Sequence, residues 1–318
     1  MKNVLLMLLT IALVGFGMTP MDVEAETKKK AVATIKKAPR ISKQIKPKKH
    51  VRAKSTVRRA SLDDAHDLAV RSSAALVLDQ TSGAVLFEKN PTAVLPIASI
   101  TKLMTAMVVL DAKPDLGEML SIAEEDVDTI KGTRSRLRVG THLAREELLR
   151  LALMSSENRA ASALSRYYPG GRAAFVAAMN HKAQMLGLVD TRFQDATGLT
   201  AANVSSPRDL AKMVDSAHRY PLIREFSTTA DGEFTVAGRA LQFNNTNALV
   251  KNSSWEIGLS KTGYISEAGK CLVMQAWFNN KPTIIVLLDS AGKMTRVGDA
   301  NRIKRWIENA SLARPGPG

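Results

Sequence analysis

The stretch PIASITKLMTAM (Pro96–Met107) places a lysine three residues after a serine at the start of an apolar run. The pattern predicts a helix that begins near Ser99 and ends at about Ala112. Residues i and i+3 share one face of a helix, so Lys102 would point toward Ser99. A serine hydroxyl is a weak nucleophile until a base removes its proton, and a neutral lysine amine can be that base. The alternative is that Lys102 is an ordinary surface residue, present because lysine favours helices.

Strand patterns lie on both sides of a helical block. Two apolar runs, 74–78 and 84–87, flank a turn-forming segment and predict a β-hairpin. Three further strands are predicted at 255–260, 271–278 and 283–288, followed by a helix over 295–311. The intervening helices are predicted at 145–156, 159–167, 172–186 and 207–219, after a loop-rich segment over 113–143 that contains alternating arginines (Arg134, Arg136 and Arg138).

This order predicts an α/β fold of the α+β kind. The two ends of the chain would supply a five-stranded antiparallel sheet flanked by helices, and the middle would supply an inserted helical lobe. No internal repeat is found.

Two further short motifs carry groups that could assist a nucleophile. Ser156-Glu157-Asn158 follows an amphipathic helix, and Lys261-Thr262-Gly263 lies at the end of a predicted strand. Each alone is typical of a helix cap or a turn. A second Ser-x-x-Lys, at 290–293, follows a strand in a glycine turn, where no helix would hold the pair together. Lys102 can act as a base only if its amine is neutral, which requires burial or a neighbouring cation. The three ordered motifs together predict one site in which Lys261 is the candidate cation.

The first 64 residues are predicted to lie outside the folded part. Residues 1–25 have a basic start, an apolar run from Val4 to Met18 and a Val-x-Ala end, as in a cleaved secretory signal, and an uncleaved anchor is the alternative. Residues 26–64 read as a basic disordered linker, and 65–318 as one domain. Export argues against nucleic-acid binding by the linker. The linker either has no role beyond being solvated, or it associates electrostatically with an anionic envelope surface.

The net charge of +15 is concentrated in that tail, since residues 26–60 hold fourteen Lys and Arg against one acid. The single cysteine, Cys271, excludes an intramolecular disulfide and lies in an apolar run that predicts burial. No metal or other cofactor is expected, because no two of the five histidines have ligand spacing on one helix (His50, His66, His142, His181 and His218).

The three motifs together resemble the active-site serine penicillin-recognising family. The stretches FQDATGL (193–199), NTNALV (245–250) and LSKTGYISEAGKCLVM (259–274) are similar to D-alanyl-D-alanine endopeptidases of the penicillin-binding protein 7 type. The resemblance covers about residues 65–312 and implies a β-lactamase/DD-peptidase-like fold, a periplasmic location, peptidoglycan stem peptides as substrate and β-lactams as inhibitors.

The resemblance also implies roles for individual residues. Ser99 would be acylated, with Lys102 as general base. Proton relay and substrate positioning would fall to Ser156, Asn158 and Lys261. Thr262 would meet the substrate carboxylate, and the N–H groups of Ser99 and of Tyr264, after Gly263, would form the oxyanion hole.

Within that family, the sequence favours a peptidase over a β-lactamase. No Glu-x-x-x-Asn follows Ser156-Glu157-Asn158, so slow deacylation and lasting inhibition by penicillin are expected. Only 57 residues follow Lys261, which two strands and a helix would use, and this favours the compact endopeptidase over the larger carboxypeptidases. A D-Ala-D-Ala carboxypeptidase, or a catalytically idle wall-binding protein of the same fold, are the alternatives.

Overall fold

The structure, a computed structural model, describes residues 68–292 and 294–312. Alternating or continuous apolar runs form eleven strands within these residues. Their bounds are β1 Ala74–Asp79, β2 Val85–Lys89, β3 Leu95–Pro96, β4 Met119–Ser121, β5 His142–Ala144, β6 Val204–Ser205, β7 Asp231–Val236, β8 Arg239–Asn244, β9 Glu256–Ile265, β10 Gly269–Phe278 and β11 Lys281–Ser290.

Seven α-helices lie in the same part of the chain. Their bounds are α1 Thr101–Asp111, α2 Arg145–Met154, α3 Asn158–Arg166, α4 Gly171–Met185, α5 Pro207–His218, α6 Pro221–Thr228 and α7 Thr295–Leu312. Short 3-10 helices at Ala98–Ile100, Glu124–Asp126 and Ala248–Lys251 complete the described elements. None of the helices in 68–292 and 294–312 is long and apolar enough to cross a membrane.

The main sheet has five antiparallel strands in the order β2-β1-β11-β10-β9. Its first two strands come from the beginning of the folded part and the other three from its end, as the sequence predicts. β9 is the edge strand of this sheet in the described chain, so one row of its backbone groups faces away from β10.

The sheet is buried on both faces. Because successive side chains of a strand point to opposite sides, Cys271 and Val273 of β10 pack toward the helical lobe, whereas Leu272 and Met274 pack toward α7. On the helical side, α1 is buried along nearly its whole length, from Thr101 to Val109. A helix buried all round lies inside a core, so Lys102 on α1 is an interior residue and not a surface lysine.

Two parts of the fold differ from the sequence prediction. The strand expected to end at Ser260 continues to Ile265, so Lys261-Thr262-Gly263 lies inside β9 and not at its end. Continuous pairing with β10, with Gly263 opposite Cys271, is the physical reason. Helix α6 and the separate hairpin β7–β8 were not predicted. Each has a local signal in the sequence: a proline at the first position of α6, and the Ala237-Gly238 turn of the hairpin. Residues 1–67, which include the predicted signal and all of the predicted linker, lie outside the described residues.

Candidate active site

Ser99 lies in the short 3-10 helix that leads into α1. Its neighbour Ala98 has φ +47°, a left-handed conformation that is uncommon for a residue other than glycine. Such backbone strain persists only where the surrounding structure holds it in place. The serine is half-buried, while Ala98 is completely buried.

Two glycines press on this strained turn from different segments of the chain. A Cβ at position 198 would lie 1.9 Å from the carbonyl oxygen of Ala98, and φ at Gly198 is +81°. A Cβ at position 263 would lie 2.8 Å from the carbonyl oxygen of Ile97 and 3.2 Å from the backbone nitrogen of Ser99. Only glycine allows both segments to approach this closely, and together they hold the backbone of the Ser99 turn.

The Lys102 amine has three partners and is fully buried. Its Nζ lies 2.8 Å from Oγ of Ser99, 2.8 Å from Oδ1 of Asn158 and 2.7 Å from the carbonyl oxygen of Thr197. The last two are acceptors only, so they bind the two hydrogens of a neutral amine. The remaining lone pair then faces the hydroxyl of Ser99, the geometry that a general base requires.

Burial lowers the pKa of Lys102 to about 7, although the negative charges of Asp195 and Glu157 oppose the shift. Of the two causes that could keep this amine neutral, burial and a neighbouring cation, burial is the leading one. Loss of hydration disfavours the charged form of the amine, and this is sufficient to bring its pKa to neutrality.

The carbonyl of Thr197 is positioned by a turn around Asp195. The Asp195 carboxylate accepts backbone N–H groups from Thr197 at 2.6 Å, Gly198 at 2.5 Å and Thr200 at 3.0 Å. These bonds use the carboxylate to shape the turn. This turn lies within FQDATGL, one of the stretches that carry the family resemblance. Its Asp-x-Thr-Gly spacing, typical of an aspartate-capped turn, is the signal that could have identified Thr197.

The hydroxyl that the Lys261 amine contacts is that of Ser156 and not that of Ser99. Its Nζ lies 3.0 Å from Oγ of Ser156 and 3.1 Å from the carbonyl oxygen of Thr262. Ser156 has φ +60°, a second left-handed residue in the site. Burial lowers the pKa of Lys261 well below its ordinary value, and the charges of Lys102 and Arg296 lower it further.

Asn158 connects the Lys102 amine to a loop that lies outside the predicted site. Its Nδ2 donates to Oγ1 of Thr133 at 3.0 Å, while its Oδ1 accepts from Lys102. The intervening Glu157 turns away and accepts a hydrogen bond from Ser135 at 2.6 Å. The loop over 128–136 therefore covers the Ser156–Asn158 junction between α2 and α3.

The three predicted binding residues lie together on edge strand β9. Oγ1 of Thr262 lies 2.6 Å from Oγ1 of Thr246. Tyr264 is exposed, with Nζ of Lys270 4.4 Å from the centre of its ring. Arg296 of α7 donates a hydrogen bond to the carbonyl oxygen of Gly263 at 3.0 Å and so links β9 to α7. Thr246 lies within the stretch NTNALV, with no role predicted for it, and Arg296 was missed, because nothing in its local sequence connects it with β9.

The predicted site residues thus converge on one cleft, between the β9 edge on one side and the α2–α3 junction with the 195–199 turn on the other. A nucleophile with its base at hydrogen-bond distance, beside a strand edge that can pair with a peptide, suits acyl transfer. In the described part of the chain, no group of three or more His, Cys, Asp or Glu side chains could hold a metal ion.

A family model of D-alanyl-D-alanine carboxypeptidases, peptidase family S11, matches residues 60–292. The chain belongs to this family. Family S11 consists of serine peptidases, which agrees with the geometry at Ser99 and with the resemblance seen in the sequence.

Relatives within the family support the same assignment. The chain is 51% identical to a D-alanyl-D-alanine endopeptidase of Pseudomonas aeruginosa, over 76% of this chain and 78% of the relative. It is 46% identical to a D-alanyl-D-alanine endopeptidase of Escherichia coli, over 76% of this chain and 79% of the relative.

Solved structures confirm the predicted fold. The Streptomyces K15 DD-transpeptidase matches with a TM-score of 0.69 at 30% identity, covering 74% of this chain and 97% of that one. Penicillin-binding protein D2 of Listeria monocytogenes, in its ampicillin-bound form, matches with a TM-score of 0.66 at 27% identity, covering 76% of this chain and 98% of that one.

Proposed function

We propose that this S11 peptidase is a D-alanyl-D-alanine endopeptidase that hydrolyses peptide cross-links of peptidoglycan through an acyl-enzyme on Ser99. The observation that carries the proposal is the buried Lys102 amine, whose two acceptor-only partners leave its lone pair directed at the Ser99 hydroxyl. The names of the two relatives, both endopeptidases, support the choice of reaction.

In the acylation step, Oγ of Ser99 forms a bond to the carbonyl carbon of the D-alanine and its proton moves to Nζ of Lys102. The C–N bond to the next residue then breaks, and the leaving amine takes up a proton. In the second step, a water oxygen forms a bond to the acyl carbon and the ester bond to Oγ of Ser99 breaks. The acyl group leaves as a carboxylate, and Ser99 regains its proton. Removal of one proton by a positioned base contributes about 10²–10⁴-fold to the rate.

Ser156 and Lys261 are proposed to return the proton to the leaving amine. Their 3.0 Å contact places a hydroxyl with an acid–base partner beside the α3 end of the cleft. A lysine with a strongly lowered pKa exchanges protons more readily at neutral pH than an ordinary one.

The substrate backbone is proposed to lie along β9. The edge strand offers free backbone groups for pairing, and the hydroxyl of Thr262 on this strand is proposed to meet the substrate carboxylate. The close packing of Gly263 on the Ser99 turn supports an oxyanion hole formed by the N–H groups of Ser99 and Tyr264.

Carboxypeptidase activity on stem pentapeptides is the alternative, since both reactions attack a D-alanine carbonyl and the matching family model is described by that activity. Purified enzyme should be incubated separately with cross-linked muropeptide dimers and with monomeric pentapeptides. Conversion of dimers to monomers is expected. Release of D-alanine from pentapeptides with intact dimers would assign the carboxypeptidase reaction instead.

A fluorescent penicillin tests whether the site is active at all. Ampicillin-bound penicillin-binding protein D2, a structural neighbour, supports β-lactams as ligands. The wild-type chain should form one covalent adduct, detected by intact mass, and Ser99→Ala should form none. An unlabelled wild-type protein that still binds peptidoglycan would support the idle wall-binding protein instead.

Export to the periplasm is part of the proposal, because the substrate lies in the cell envelope and residues 1–25 have the pattern of a secretory signal. Residues 26–60, with a net charge of +13, are proposed to associate with an anionic envelope surface. Retention of the mature chain on anionic lipid vesicles should fall as salt rises, and salt-independent retention would contradict it.

A further inference from the structure

The two acceptors that bind the hydrogens of the Lys102 amine differ in one respect. The Thr197 carbonyl belongs to the backbone and can only accept a hydrogen bond. The Asn158 side chain ends in an oxygen and an NH2 group of similar size, and rotation about its last bond exchanges them. The structure places the oxygen 2.8 Å from Nζ of Lys102. Of these two acceptors, only Asn158 could therefore present a donor instead.

A reversed Asn158 amide would disable the base. Its NH2 group would point at the neutral Lys102 amine and donate a hydrogen bond to the lone pair of Nζ. That lone pair would no longer face the hydroxyl of Ser99, 2.8 Å away, and could not take up its proton. The direction of one side-chain amide therefore decides whether Lys102 acts as a base.

The other end of this amide meets the hydroxyl of Thr133. Nδ2 of Asn158 donates to Oγ1 of Thr133 at 3.0 Å. A hydroxyl can either donate or accept, so Thr133 by itself would favour neither orientation of the amide. Its single hydrogen is used elsewhere, however, because Oγ1 donates to Oδ2 of Asp128 at 2.6 Å. Thr133 is therefore left as an acceptor toward Asn158.

The Asp128 carboxylate sets the direction of these bonds. It is half-buried, and burial opposes its ionisation. Hydrogen bonds from the Thr133 hydroxyl and from the backbone N–H groups of Lys131, Thr133 and Ile130 outweigh this effect and lower the pKa of Asp128. An ionised carboxylate carries no hydrogen and only accepts, so Thr133 has to donate to it.

We propose that Asp128 and Thr133 are positioning residues for the general base, an inference that rests on the proposed function. Hydrogen-bond direction passes from the carboxylate through the Thr133 hydroxyl to the Asn158 amide. The amide oxygen then holds the Lys102 amine, whose lone pair stays on Ser99. Neither positioning side chain makes a hydrogen bond to Ser99 or Lys102 in the described part of the chain, so both act through Asn158.

Two substitutions at Thr133 test the middle of this chain of hydrogen bonds. Thr133→Val keeps the shape of the side chain without its hydroxyl, and the residue is exposed, so no cavity forms. The second-order rate of Ser99 labelling by a fluorescent penicillin should fall about tenfold at alkaline pH, because the amide is no longer held in one direction. Thr133→Ser keeps the hydroxyl and should stay within about twofold of the wild type.

The pH profile of labelling separates positioning from a merely structural loss. In the wild type the rate should fall as Lys102, with a pKa of about 7, becomes protonated. An amide that turns its NH2 group toward the amine disfavours the charged form, so this fall should move to lower pH in Thr133→Val. Asp195, Glu157 and Lys261 also act on the charge of Lys102, and the substitution leaves all three in place. A loosened site would lower the whole curve without moving its midpoint.

Asp128→Asn should reverse the direction of the hydrogen bonds. The new NH2 group would donate to Thr133, which would then donate to Asn158 and turn the amide NH2 toward Lys102. Labelling should fall about 10²-fold. Addition of Thr133→Val removes the reversed link, so the double variant should recover to about the tenfold loss of Thr133→Val alone. Two purely structural losses would add instead.

Asp79→Asn is the matched control for the substitution of Asp128. Both carboxylates accept backbone N–H groups from the residues two and three positions later. Asp79 lies at the end of β1, which β11 and β10 separate from β9. Labelling of Asp79→Asn should equal that of the wild type.

The outcomes separate this inference from the proposed function. Wild-type labelling with an unmoved pH profile in Thr133→Val would overturn the positioning role and leave the proposed function intact. Losses that add in the double variant would overturn it as well. A wild-type chain that penicillin does not label would instead contradict the proposed function. If Asp128→Asn fails to fold, the comparison of Thr133→Val with Thr133→Ser decides the matter.

Discussion

The Nζ of Lys102 lies 2.7 Å from the carbonyl oxygen of Thr197, a residue 95 positions later in the chain. This bond, with the one to Asn158, uses both hydrogens of a neutral amine and directs its lone pair at Ser99. A backbone carbonyl cannot donate in return, so this environment orients the amine as a base.

The pH dependence of acylation follows from this arrangement. The pKa of Lys102 is lowered to about 7, so the amine is increasingly protonated below that pH and loses its lone pair. The second-order rate of labelling by a fluorescent penicillin should fall about tenfold per pH unit below pH 7 and level off above it. Circular dichroism at each pH controls for unfolding. A rate that stays constant from pH 5.5 to 8.5 would contradict Lys102 as the base.

Replacement of Gly198 by alanine should disable the site through packing. The new Cβ would overlap the carbonyl of Ala98, 1.9 Å away, in addition to the strain of φ +81°. Gly238→Ala is the matched control, since φ is +75° and nothing lies within 4 Å of its Cβ position.

The two alanine variants should therefore behave differently. Gly238→Ala should lower the free energy of unfolding by about 1–2 kcal/mol, the cost of the left-handed conformation, and leave penicillin labelling unchanged. Gly198→Ala should lose more stability in urea and most of its labelling rate. Equal losses of stability with normal labelling in both would show that the Gly198 contact does not position Ser99.

Loss of the Ser156 hydroxyl should slow turnover without loss of stability when glycine replaces the serine. Glycine tolerates φ +60° better than serine, so Ser156→Gly removes the 3.0 Å contact with Lys261 and relieves the backbone. We expect kcat on cross-linked dimers to fall about 10²-fold, as for loss of a proton relay.

Ser155 supplies the control for this experiment, because its hydroxyl donates to the carbonyl oxygen of Asn244 outside the cleft. Ser155→Ala should keep wild-type kcat on the dimers. Ser156→Gly with normal kcat would remove Ser156 from the proposed proton path, whereas equal losses in both variants would indicate a general disturbance of the α2–α3 junction.

The Cys271 thiol should be unreactive in the native protein. Burial raises its pKa to about 11, and the residue is completely inaccessible within β10. A chromogenic disulfide reagent at pH 8 should therefore detect no thiol in buffer and one thiol per chain in denaturing urea. Fast labelling of Cys271 in the native protein would show that the β9–β10 region opens. A small-molecule thiol, assayed in parallel, controls for the activity of the reagent.

Much of the fold could be predicted from the chain because its periodicities are local. Strand runs at both ends and a helical block between them indicated the five-stranded sheet with an inserted lobe, and the sheet order confirms it. The i, i+3 spacing within one helical segment likewise predicted the Ser99–Lys102 contact, found at 2.8 Å. The extension of β9 through Gly263 was missed, because pairing with β10 decides it.

What the sequence by itself determined is the set of motifs, the order of the elements and the one contact that a single helical turn enforces. Only the tertiary structure decided that Lys261 meets Ser156, that the carbonyl of Thr197 completes the surroundings of Lys102, and that Arg296 supports β9. The physical reason is separation along the chain. Local backbone geometry sets distances over a few residues, whereas contacts across 33 to 105 residues depend on how the sheet, the lobe and α7 pack together.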